Sequence, residues 1–462
     1  MTGRRLFAWF VVIALVLAAC SSGSDTKTKS GAGKTPTTAP KAGGAQPSGG
    51  AWPTYHRDAL RTGVEPNGPA PGSLRRVWES PGLDGAVYAE PLFVGNQVFV
   101  ATEHNNVYAL DATTGKVQWQ KHLGDPVPQS QLPCGNIDPT GITSTPVADT
   151  ARGVLYVVPF TMPPRHDLVA LDLSSGAQRF RRPVDAPGAD PKVEQQRSAL
   201  ALVGDQVLVA YGGLFGDCGD YHGYLIGAPA DGGGSLTTYQ VPAARAAAIW
   251  APPGPVVDNN SVLVASGNSV GVGANPDLSN SVLRLSLPGL QLQDSWTPRN
   301  RDQLSQTDQD LGSTSPVPVG NGLVFVVGKE GVGYLMRADA LGGVGGEIFS
   351  GQVCRGFGGT ASAPPLLFVP CRGPNELVAL RIEGSGFSVA WRVPNVDGSP
   401  ILTGDTVWAI DLGGGQLHAY RASDGQELAS MPVGDVANFG TPAAGNGLVV
   451  VAGGGHVTAF GN

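Results

Sequence analysis

Cysteine is scarce in this chain, with five in 462 residues. No Cys-x-x-Cys pair occurs and no histidine cluster lies near a cysteine, which argues against a zinc site. The histidines, His104, His166 and His222 among them, have no metal-ligand spacing and read as surface or loop residues. Charged side chains make up only 15% of the chain and form no basic stripe, so nucleic acid is not a partner it is suited to. No long stretch repeats with helical period, which argues against a helical bundle or an α/β sheet. The Gly-rich DGGGS at residue 231 lacks a Gly-Lys-Ser/Thr ending and reads as a loop. GNSVG, residues 267 to 271, fits Gly-x-Ser-x-Gly, but no helix follows to make a nucleophile elbow.

What the first fifty residues contain points to export. Arg4 and Arg5 precede the apolar LFAWFVVIALVLAA, and small residues lead to Cys20. The apolar run is shorter than the roughly 20 residues a membrane span needs. Leu17-Ala18-Ala19-Cys20 resembles a bacterial lipobox, which implies cleavage after residue 19 and acylation of Cys20. The adjacent arginines also loosely resemble a twin-arginine signal, so the export route stays open. Residues 20–50, rich in Ser, Gly, Thr, Lys, Pro and Ala, have the composition of a disordered tether. Beyond residue 50 the chain carries 24 basic against 36 acidic side chains. The remaining cysteines, Cys134, Cys218, Cys354 and Cys371, are expected to form two disulfides in an oxidising compartment. Three pairings are possible. Cys134–Cys218, tying two loops, with Cys354–Cys371, clipping strands close in sequence, is the favoured one.

Short Val/Leu/Ile/aromatic runs bounded by Gly, Pro, Asn or Asp recur throughout, among them NQVFVAT, GVLYVVPF, QVLVAYGG, LVFVVG and LVVVAGG. Aligned, they form a larger unit that starts near Pro91, Thr145, Ala199, Pro253, Thr314, Gly359, Gly398 and Phe439. Eight units of this size predict an all-β, eight-bladed β-propeller of four-stranded antiparallel blades occupying residues 51–462. The last unit ends before its final strand, so LRRVWESP, residues 74–81, is expected to supply it and close the ring.

VYALDATTGKVQW, with Ala109, Leu110, Asp111, Gly115 and Trp119, resembles the tryptophan-docking repeat of pyrroloquinoline quinone (PQQ) propellers. Weaker copies are LVALDLSSGAQRF, LVALRIEGSGFSVAW and LHAYRASDGQEL. WPTYHRDALRTG, residues 52–63, resembles the entry segment of the same superfamily. One branch comprises quinoprotein alcohol dehydrogenases, which hold PQQ and calcium or a lanthanide near the axis. Another comprises cofactor-free lipoprotein scaffolds, such as the BamB-like subunit of outer-membrane protein assembly.

The resemblance to the dehydrogenases implies Asn268 as a metal ligand, Asp308 as catalytic base and metal ligand, and Asp310 as the extra carboxylate of lanthanide-dependent members. It further implies Lys329 as a quinone contact and Trp250 as the surface beneath the ring. Hard oxygen ligands suit such a cation, which would polarise a quinone carbonyl while a carboxylate takes a proton. Where the family has its metal-ligating Glu, only Asp217 and Asp220 are available, beside Cys218. The adjacent-cysteine disulfide and the Arg that follows it are also missing. A competing account makes these ordinary loop residues: Asn268 left-handed, Asp308 and Asp310 as caps, Lys329 a surface charge, Trp250 wedged between blades. The leading expectation is a monomeric, extracytoplasmic, lipid-anchored propeller that binds envelope or membrane proteins. The alternative is a PQQ- and metal-dependent oxidoreductase of an alcohol or sugar.

Overall fold

A computed structural model describes residues 50–270 and 277–462. The expected signal segment, Cys20 and the expected tether as far as residue 49 lie outside these described residues. No helix among them is long and apolar enough to cross a membrane.

Eight antiparallel sheets follow one another along the chain. Their innermost strands are Leu92–Val94, Val147–Asp149, Ala201–Val203, Val256–Asp258, Val317–Pro318, Ala361–Ala363, Ile401–Thr403 and Ala443–Gly445. Each begins within four residues of a repeat start read from the sequence. The blades are numbered 1 to 8 in this order. Middle strands such as Leu323–Val327 are buried throughout because both faces pack on neighbouring blades. Outermost strands such as Val117–His122 are largely exposed, which is why their sequences turn polar. The expected closure occurs: Arg75–Glu79 pairs antiparallel with His456–Gly461, so both ends of the propeller share blade 8.

Adjacent blades are joined by the tryptophans of the repeat. Trp78 of blade 8 donates its indole N–H to Ala112 O at 2.8 Å. Trp119 donates to Leu173 O at 3.0 Å and Trp391 to Ala422 O at 2.9 Å, each reaching the next blade. Each ring lies flat against a turn glycine. Gly115 has φ +69°, and a Cβ there would lie 2.5 Å from the Trp78 ring. Glycine is therefore required twice over, by the turn and by the ring. Between blades 2 and 3, Phe180 fills the same place against Gly232.

The entry segment runs along the inner edges of the blades. Trp52 exchanges backbone hydrogen bonds with Phe93 of blade 1, and Ala148 of blade 2 donates to Pro53 O. Val257 of blade 4 donates to Ala59 O, Ser362 of blade 6 to Thr62 O and Leu402 of blade 7 to Gly63 O. Arg61, 1% exposed, donates to Leu200 O at 2.9 Å, Pro255 O at 3.2 Å and Tyr55 O at 3.1 Å, and to the Thr54 hydroxyl. Burial lowers its pKa to about 10, which leaves it cationic. Both disulfides, Cys134–Cys218 and Cys354–Cys371, form in the favoured pairing. They suit an oxidising, extracytoplasmic compartment.

Replacing Arg61 with Met keeps the volume but strands these carbonyls. The expected loss is about 3 kcal/mol or more of unfolding free energy, measured by urea denaturation. A loss under about 0.5 kcal/mol would show that the segment does not brace the ring.

Candidate functional site

In every blade two kinds of connection emerge at the same end of the ring: the one leading into the innermost strand, and the one between the second and third strands. The residues singled out in sequence lie on these connections in blades 4 and 5. Trp250 precedes Val256–Asp258, and Asn268 follows Ser261–Ala265. Asp308 and Asp310 precede Val317–Pro318, and Lys329 follows Leu323–Val327. A short helix, Arg301–Gln306, delivers the acidic loop.

Five of these residues converge. The Lys329 ammonium lies 2.9 Å from Asp308 Oδ1 and 2.7 Å from Asp310 Oδ2. Asn268 donates its backbone N–H to Asp310 Oδ1 at 2.6 Å and its Nδ2 to Asp308 Oδ1 at 2.9 Å. Lys329 Nζ lies 5.9 Å from the centroid of the Trp250 ring, a cation–π distance. Gly267 makes room: a Cβ there would lie 2.5 Å from Asp310 Oδ1.

The carboxylates are not equivalent. The Asp310 side chain is 12% exposed, whereas that of Asp308 is 72% exposed on a residue at φ +54°. Burial raises the Asp310 pKa, against the pull of Lys329 and the Asn268 amide. Burial alone would lower that of Lys329, but the two carboxylates more than reverse this and hold it protonated.

The competing loop account fails at particular points. Asn268 is not left-handed, and neither carboxylate accepts from an amide of its own loop. Lys329 is 13% exposed, so it is not a surface charge. Only for Trp250 does that account hold: half-buried, it packs on the cluster of Val193, Tyr221, Ala246 and Ala248, with its ring edge-to-face against Phe439 at 6.1 Å. Asp217 and Asp220, offered in sequence as further metal ligands, do not join this cluster. Asp217 Oδ1 accepts the Tyr221 hydroxyl at 2.6 Å, on a loop held by the Cys134–Cys218 disulfide. Asp220 is 82% exposed and faces His222 at 3.8 Å.

This arrangement bears directly on a metal–quinone centre. Calcium and lanthanide ions take six or more oxygens. The cluster offers two carboxylates and Asn268 Oδ1, which already accepts from Asn280 at 3.2 Å, and an ammonium stands against both carboxylates. These residues do not complete a cation cage.

Sequence reasoning missed the groups on the equivalent connections of other blades. Glu103 follows the second strand of blade 1, and its Oε2 accepts the Gly141 N–H at 2.6 Å while Oε1 has no partner. Glu194 leads into blade 3, accepting the His222 N–H on Oε1 and leaving Oε2 unpartnered. Burial pushes Glu103 up to about 7 and Glu194 up to about 8. Arg197, Arg372, Phe357 and Phe439 also occupy these connections. Their common position in the repeat was the available signal.

Fold and loops together define an eight-bladed β-propeller similar to the PQQ-repeat propellers. The family model described as outer membrane protein assembly factor BamB (PQQ_2) matches residues 72–288. Over 55 residues the chain is 40% identical to a probable quinate dehydrogenase (quinone) of Xanthomonas campestris pv. juglandis, spanning 12% of this chain and 7% of that protein. Among solved structures, quinohemoprotein alcohol dehydrogenase from Comamonas testosteroni superposes with a TM-score of 0.67 at 16% identity, covering 89% of this chain and 81% of that one. A europium-containing methanol dehydrogenase gives 0.71 at 15% identity, covering 89% and 91%. BamB from Moraxella catarrhalis gives 0.58 at 14% identity, covering 84% and 98%. At these identities the likeness to solved structures is one of fold.

The buried glutamates set an expected pH dependence. Their folded-state pKa values lie above the ordinary 4.5, so the folded protein binds protons more tightly than the unfolded chain. Stability from these groups therefore falls as pH rises from about 4.5 toward 7 and 8. Glu194→Gln is expected to raise unfolding free energy at pH 8 by on the order of 2 kcal/mol and to leave it unchanged at about pH 4, as read by urea denaturation at both.

Proposed function

We propose that this protein is a membrane-anchored, extracytoplasmic binding or scaffold propeller that presents its loop-bearing face to envelope or membrane proteins. The observation that carries this reading is Lys329. Its ammonium pairs with both carboxylates that a catalytic cation would need, and no third carboxylate stands with them among the described residues. The fold likeness to BamB supports the scaffold side, and the two disulfides support an extracytoplasmic setting. A Cys20 lipid anchor and a monomeric state complete the proposal. The tether would hold the propeller off the membrane while its rigid ring displays loops of several chemistries, a usual division between scaffold and function.

One observation favours a second reading, a quinone-dependent oxidoreductase of an alcohol or sugar: Asn268, Asp308, Asp310, Lys329 and Trp250 do meet at one place. PQQ with calcium or a lanthanide would supply the redox chemistry in that case. Asp308, the more exposed carboxylate, would be positioned to take a substrate proton.

The readings separate experimentally. The full chain, given PQQ with calcium or a lanthanide, is expected to show no quinone absorbance shift and no dye-linked alcohol oxidation. Terbium luminescence excited through Trp250 is expected to be weak in the native chain and to rise at least tenfold in affinity in Lys329→Ala, which frees both carboxylates. Dye-linked turnover that Asp308→Asn abolishes would overturn the scaffold reading and establish the enzyme.

A further inference from the structure

We propose that Arg197 and Arg372, with the Phe439 ring they share, form a binding site for a small oxyanion, a carboxylate- or phosphate-bearing molecule, on the loop-bearing face. This names a ligand class for the face that the preceding section reads as the binding surface, and it rests on that reading. It uses none of the residues of the Lys329 cluster.

The site assembles from three blades. Arg197 leads into blade 3, Arg372 lies between the second and third strands of blade 6, and Phe439 leads into blade 8. The Arg197 guanidinium carbon lies 5.2 Å from the Phe439 centroid and that of Arg372 4.5 Å from it. Tyr88 flanks Arg197 at 5.7 Å, and Phe357 flanks Arg372 at 5.8 Å. A third guanidinium, that of Arg355, lies 5.8 Å from Phe357. Cation–π contact uses the face of a guanidinium and leaves its in-plane N–H donors free for a fork-shaped acceptor.

Those donors are unspent. Arg372 Nε and Nη2 are buried without any hydrogen-bond partner. The carboxylate paired with Arg372, Asp397, stands 3.6 Å from Nε, beyond hydrogen-bonding range. Arg197 has no hydrogen bond or ion pair among the described residues. Burial lowers the pKa of both arginines, and Arg372 also lowers that of Arg197, as expected for neighbouring like charges. Glu103 attracts Arg197 electrostatically, but its carboxyl, pushed up to about 7 by burial, is only partly ionised at neutral pH.

Holding two guanidiniums largely desolvated, one without an ion pair and the other with only a 3.6 Å contact to Asp397, is costly, and it is unexpected in a protein whose acids outnumber its bases. An oxyanion reverses the cost. It takes the planar N–H pairs that no protein group occupies, in the geometry that makes arginine the common ligand of carboxylate and phosphate. The rings flanking the guanidiniums fix where those pairs point.

The test uses the full chain in detergent, titrated calorimetrically with sodium phosphate and with sodium succinate against sodium chloride at matched ionic strength. Saturable binding of phosphate, succinate or both is expected, with no heat from chloride. A response to phosphate alone assigns the site to phosphate esters, and one to succinate alone assigns it to carboxylates. Arg197→Gln and Arg372→Gln should each weaken binding at least tenfold. Without ligand, Arg197→Gln should melt no lower than the native chain, because it removes a desolvated charge that makes no ion pair. Should a variant fail to fold, Phe439→Leu, which removes the shared ring and keeps both charges, is read instead and should weaken binding about threefold to tenfold. Absence of saturable binding to either anion, or binding unchanged in folded variants, overturns the proposal. Quinone binding and dye-linked turnover are measured without these anions, so failure here is distinguishable from failure of the scaffold reading.

Discussion

The ring depends on the hydrogen bonding of its own inner edge. A propeller of eight separate sheets presents eight innermost strands whose outward-facing partners are spent and whose axial side is bare. The entry segment supplies what those strands lack, bonding through its backbone to blades 1, 2, 4, 6 and 7 and through Arg61 to carbonyls of blades 3 and 4. A buried arginine can stay charged there because Asp58 and Glu90 attract it while backbone carbonyls accept its N–H groups. With the inner edges satisfied, the loop-bearing connections are free to carry chemistry instead of structure.

Those connections differ sharply from blade to blade although the strands beneath them repeat. Blades 4 and 5 bring together an amide, two carboxylates and an ammonium that pairs with both. The connections into blades 3 and 8 and within blade 6 bring guanidiniums onto aromatic rings. The acidic balance of the chain thus conceals a local cluster of guanidiniums on the loop-bearing face. Such contrast suits recognition, where a rigid frame fixes the positions and the loops set the sign.

The repeat, the number of blades and the closing strand were legible in the sequence because each is written locally, in runs of apolar residues and in a turn glycine followed by Trp119. The convergence of Asn268, Asp308, Asp310 and Lys329 was legible only through resemblance, since Asn268 and Asp310 are 42 residues apart and no local pattern links them. The burial of Lys329 and the exposure of Asp308 were not legible at all. They follow from how the loops of two blades pack, which periodicity does not encode. Asp217 and Asp220 failed as candidates for a similar reason: adjacency to Cys218 placed them on a loop whose disulfide and tyrosine contacts direct them elsewhere. The arginine pair escaped notice because no motif surrounds it, only a shared position within the repeat.

The pairing of Arg75–Glu79 with His456–Gly461 bears on the order of events during biosynthesis. A ring that closes by pairing Arg75–Glu79 with His456–Gly461 cannot be completed until that strand of blade 8 has been made. The early strand must wait, with an exposed edge, through the production of seven blades. Such long-range closure makes folding slow and leaves intermediates exposed to aggregation. Exporting the chain unfolded would postpone the whole process until every strand is present at once.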